Sequence, residues 1–167
     1  MAQRNYDLPP ELLSVHEAGH MAALEYFNEK WYSAHINPDS MCGHVNMDPS
    51  GGPETPTGRA KSCAEAVIGR SAELKTISYR MAARMYAGIA AERLFLGLPF
   101  DPAAFIDHED HDFRVARYLL GLTDSTDDWN YCAFLACEVV SRQRARIEYL
   151  AAQLLERKSI TCDEVQP

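Results

Sequence analysis

The chain has 167 residues, of which 47% are hydrophobic and 24% charged, the composition of a folded globular protein and far from that of a disordered one. That length predicts one domain, 1–167, able to bury roughly 70% of its unfolded surface with no metal or disulfide needed merely to fold. With 16 basic residues against 24 acidic ones the net charge is -8, the wrong sign for phosphate neutralisation, so nucleic acid is excluded as a partner.

Residues 11–27, ELLSVHEAGHMAALEYF, carry apolar side chains at helical spacing (Leu12, Val15, Ala23, Leu24, Phe27) after Pro9 and Pro10, with Asp7 as the expected cap. Partly alternating polarity on either side of Pro38–Gly43 predicts a β-hairpin. Residues 49–58, PSGGPETPTG, predict a flexible loop. Residues 71–96 read as one long helix ended by Gly97. A segment rich in acids and histidines then leads to HDFRVARYLLGL, where Phe113, Ala116 and Leu120 share a helical face, so a loop delivers Asp112 to a helix start. From Asp127 to about Lys158 an amphipathic pattern predicts one helix or two. No apolar run reaches the ~20 residues of a membrane span, and Met1–Pro10 does not read as a leader. Cys42, Cys63, Cys132, Cys137 and Cys162 are an odd set without CxxC spacing. They read as reduced thiols, and the expectation is a cytoplasmic protein without a membrane partner.

His16-Glu17-Ala18-Gly19-His20 is an HExxH motif. On a helix, residues i and i+4 stand one above the other, so two imidazoles converge on one point, while the Glu lies about 100° round the axis and can reach a water at a metal. Helical phase places both histidines on the stripe of Leu12, Ala23 and Phe27, facing the core, where imidazoles need partners. Gly19 leaves room for another backbone to approach. Zinc in a hydrolytic site takes a third protein ligand and keeps one position open. The extended HExxHxxGxxH pattern fails, because Ala23 and Tyr26 stand at its Gly and His positions. Two sources of a third ligand remain on the residues alone. One is Glu92, on a stripe with Met81, Met85, Gly88 and Phe95; the other is the cluster Asp107, Glu109, Asp110 and Asp112.

HEAGH, the proline-centred hairpin, MAARMYAGIAAERLFLG, HDFRVARYLL and YLAAQLLERKSITCDEV together resemble, in order and over nearly the whole chain, the peptidase domain of the FtsH family of ATP-dependent zinc proteases. The resemblance implies a mainly α-helical, zincin-like peptidase domain with a small β-hairpin. It implies a metal site of His16, His20 and Asp112, with Glu92 in support near the site and Glu17 as catalytic base. The chain departs from the family in carrying no ATPase module or membrane segment upstream, in Asp39 after the hairpin proline, and in the segment Asp107-His108-Glu109-Asp110-His111, which reads as a solvated acidic loop.

The expected function is therefore a stand-alone zinc metalloendopeptidase that hydrolyses unfolded or flexible polypeptides. Such a substrate can lie as an added strand along Gly43, His44, Val45, Asn46 and Met47. The alternatives are a zinc-binding regulatory module with little turnover, or a peptidase subunit that needs a separate ATPase; self-association is open on the sequence.

Overall fold

A computed structural model of the protein describes residues 9–47, 71–99, 111–121 and 128–166. The chain order is helix α1 (Pro10–Tyr26), strands β1 (Ser33–Asn37) and β2 (Cys42–Asn46), helices α2 (Ser71–Phe95), α3 (His111–Gly121), α4 (Trp129–Arg142) and α5 (Arg144–Arg157), and strand β3 (Ser159–Thr161). The protein is mainly α-helical with a small antiparallel sheet, as the sequence predicts. Asp7, the 49–58 loop and the acidic segment 107–110 lie outside the described residues.

Helix α1 starts where the two prolines set it. Pro10 occupies the first helical position, where no backbone donor is needed, and no side chain caps the end. It stops at Asn28, which takes the left-handed conformation at φ 57 and lets the Asn28 and Glu29 amides close onto the carbonyls of Glu25 and Leu24 at 3.0 and 2.8 Å. Every residue from Leu13 to Leu24 is buried. This corrects the expectation of an apolar stripe with a solvated back: α1 packs against α2, α4, α5 and the sheet, so it has no wet side. Close approach to α2 depends on Gly19, where a Cβ would stand 2.5 Å from the Ala87 carbonyl oxygen and 2.9 Å from the Ala91 methyl carbon.

The hairpin forms where the polarity alternates. β1 and β2 pair antiparallel from Ser33 with Asn46 to Asn37 with Cys42. A single turn of 3-10 helix, Pro38–Ser40, connects them, its Asp39 and Ser40 amides donating to the Asn37 side-chain oxygen. Sequence reading missed β3, which pairs with the other side of β1 and makes the sheet three-stranded in the order β2-β1-β3. β2 is therefore an edge strand, with no partner on its outer side among the described residues.

Helix α2 ends as expected at Gly97, φ +64, with the Gly97 and Leu98 amides closing onto the carbonyls of Leu94 and Arg93. The last amphipathic stretch is two helices that turn at Gln143, and Cys132, Ala136, Val139, Ile147, Leu150 and Leu154 are all buried. Arg146 of α5 forks onto both carboxylate oxygens of Glu25 at 2.9 and 2.8 Å, fastening α5 to the end of α1. Among the described residues no helix is long and apolar enough to cross a membrane.

Candidate metal centre

Two helices far apart in sequence meet at the middle of α1. His16 and His20 project from α1 as the i, i+4 spacing requires, and Asp112 reaches them from the first turn of α3. The three facing atoms form a small triangle. His16 Nε2 and His20 Nε2 are 2.9 Å apart, and Asp112 Oδ2 lies 3.0 Å from the first and 3.2 Å from the second.

The outer ring nitrogens decide what the inner ones can be. His20 Nδ1 donates to the Arg84 carbonyl oxygen at 2.8 Å, an acceptor without a proton to give. His16 Nδ1 is held by the Glu92 carboxylate. Each neutral ring therefore carries its proton on Nδ1 and turns a bare lone pair at Nε2 toward the other ring. Two lone pairs and a carboxylate oxygen at these separations repel unless a cation stands among them. Divalent first-row ions bind imidazole at about 2.0–2.1 Å, so donors at tetrahedral positions stand about 3.3 Å apart. The observed 2.9–3.2 Å is close to that, and the three residues fit a metal.

Asp112 carries the electrostatic signature of the cluster. Burial acts to raise its carboxyl, but the His20 and His16 rings beside it outweigh this and hold it well below the usual carboxylate range. It is an anion ready to ligate at any physiological pH. Asp112 faces the two inner nitrogens, whereas Glu92 meets the outer nitrogen of His16 from behind.

Gly88 of α2 is the floor of the site, and sequence reading did not single it out for this. A Cβ there would stand 2.6 Å from His16 Cε1, His16 Nε2 and His20 Nε2, so only glycine lets both rings lie on α2. The Arg84 carbonyl was invisible for a different reason: a backbone acceptor leaves no mark in the side-chain sequence. The signal for Gly88 was present in its spacing, one turn before Glu92 on the buried stripe.

Glu17 leaves the axis on another bearing, as the motif predicts. Its carboxylate rests against the Cα of Gly43 on the edge strand, filling the space a Cβ would take. The residue is only 4% exposed, and no hydrogen bond from any described residue reaches its carboxylate. No family model matches the chain, and no curated protein matches it. The site is thus read from its own chemistry.

Of the expected substrate strand, Gly43 and Val45 share the face toward α1, while alternation turns His44 to the opposite face, where it stands against His35. Asn46 is buried and Met47 follows the strand half-buried. His111 is exposed at the first position of α3 and is not in the triangle. The described cysteines, Cys42, Cys132, Cys137 and Cys162, are free thiols and none joins the metal cluster.

Proposed function

We propose that the protein is a zinc-dependent metallopeptidase of FtsH-like type, with His16, His20 and Asp112 holding the ion and Glu17 acting as general base. The observation that carries this reading is Glu17. It is buried on the turn of α1 that carries His16, and its carboxylate leaves the line of the three donors to rest against Gly43 of the edge strand, where an HExxH motif places its general base.

Two imidazoles and one carboxylate are a donor set that suits zinc and leaves a coordination position over. Bound there, zinc would supply Lewis acidity for attack on a peptide carbonyl. The remaining work falls to the chain. Glu92 and the Arg84 carbonyl hold the two rings in one tautomer and one orientation. Gly88 lets α2 lie close beneath them. Glu17 takes the proton of the attacking water and passes it to the leaving amine, the step that turns binding into cleavage. The outer edge of β2, unpaired among the described residues, runs past Glu17 at Gly43, so an extended polypeptide added to that edge would bring its backbone to the carboxylate by main-chain hydrogen bonds and with little demand on sequence.

The test compares wild type with Glu17→Gln, zinc-loaded, on an unfolded substrate such as casein. Both should bind one zinc at the cluster, and the variant should cleave slower by ~10² or more. Equal rates would refute Glu17 as the base. Absence of cleavage in the zinc-loaded wild type would leave a zinc-binding module rather than an enzyme.

A further inference from the structure

The remaining pair of histidines lies on the sheet. His35 of β1 and His44 of β2 occupy directly opposed positions in the antiparallel register, so their side chains leave the same face. That face is the outer one, since the neighbours Ala34 and Ile36 are buried on the other side and Gly43 there meets Glu17.

We propose that His35 and His44 form a second site for a divalent transition metal, of the zinc(II) or copper(II) class, on the outer face of the sheet and separate from the His16–His20–Asp112 cluster. Their ring centroids are 5.5 Å apart with the planes tilted by 51°. An imidazole bound at about 2.0–2.1 Å has its centroid about 3.2 Å from the ion, so two rings at a tetrahedral angle have centroids about 5.2 Å apart. The pair stands almost at that separation before any ion arrives. Its rigid strands hold it there, which lowers the ordering cost of binding.

Both rings are also available. Neither makes a hydrogen bond to any described residue, unlike His16 and His20, whose outer nitrogens are taken. His35 is exposed and His44 half-buried, so an ion can enter from solvent. Burial and the neighbouring His35 push His44 below its ordinary value, against a smaller opposing pull from Glu17. A thiol stands close by on the same face. Cys42 is exposed two residues from His44, its sulfur 3.0 Å from the Ser40 hydroxyl, and a rotation of its side chain would offer a soft third donor. Imidazole with thiolate selects zinc and copper over calcium or magnesium.

Equilibrium dialysis against zinc, with the folded state of each protein checked by circular dichroism, reads the stoichiometry directly. Wild type should bind two equivalents. His35→Ala and His44→Ala should each keep the first and weaken the second by more than about tenfold, since even the loss of a residue that only supports a ligand costs that much. His16→Ala should show the reverse, losing the cluster equivalent and keeping the sheet equivalent. One equivalent in wild type, or a second that survives His35→Ala undiminished, would overturn the proposal. Because binding is measured without substrate, the result stands apart from whether the protein cleaves peptides.

Discussion

Gly88→Ala isolates the architecture of the candidate metal centre, because it changes none of the three donors and no charge. The added methyl carbon would lie 2.6 Å from three ring atoms of His16 and His20, where contact begins at about 3.5 Å. Roughly 0.9 Å of movement is therefore required. The rings cannot take it up alone, since the Arg84 carbonyl and Glu92 hold their outer nitrogens, so α1 and α2 must part or the rings must tilt off their common point. Metal sites tolerate ligand displacements of only about 0.2 Å. Zinc affinity should fall by at least about 100-fold, measured by competition with a chromophoric chelator. The metal-free protein should lose about 1–3 kcal/mol, the usual cost of overpacking, which at this chain length lowers Tm by roughly 2–12 °C. Gly121→Ala is the control, since no described residue lies within 4 Å of its new methyl. Wild-type zinc affinity in Gly88→Ala would refute the geometry described for the site.

Three further outcomes follow from the same contacts. Asp112→Ala and His20→Ala should lose zinc by elemental analysis, whereas Glu92→Gln should retain it with affinity reduced about 10–100-fold, because Glu92 touches only the back of the His16 ring; the reverse order would exchange the two acids. Burial pushes the Cys132 thiol from 9.0 up to about 12 and the Tyr86 hydroxyl from 10.0 up to about 12. The native state thus keeps protons that the unfolded chain releases, so stability is full below pH 9 and falls as pH rises toward 12; urea midpoints should decline over that range, and less steeply in Cys132→Ala. In native protein an alkylating reagent should modify exposed Cys42 within minutes while Cys132 reacts only on unfolding, with peptide mapping to assign each adduct.

The sequence made legible those parts of the fold that repeat with a period or end on a special residue. Prolines 9 and 10 and Gly97 bounded α1 and α2, and the alternation around Pro38 drew the hairpin. The turn between α4 and α5 was not legible, because Gln143 is an ordinary helix former and the bend comes from packing, not from proline or glycine. β3 is three residues long and owes its conformation to the open side of β1. At the site, His16, Glu17 and His20 were readable because a helix converts spacing into direction. Asp112 was not separable from Glu92 on spacing alone, since both are acids on helices and only the third dimension says which faces the inner nitrogens. The reading of α1 as a helix with a core-facing stripe reached the right burial for the histidines by a premise the packing does not support.

That complete burial of α1 bears on how the chain can vary. A helix with one wet side tolerates substitutions in a 3.6-residue rhythm, as α4 and α5, with their exposed Phe134, Tyr131 and Tyr149, should do. Between Leu13 and Leu24 no position faces water, so the rhythm should vanish and replacements for size should fail on every side. The histidines share this segment with Leu13, Ala18, Met21 and Ala22, all 0% exposed. Selection for packing and selection for the candidate site are thus pressed onto the same twelve residues, and drift has almost nowhere in α1 to go.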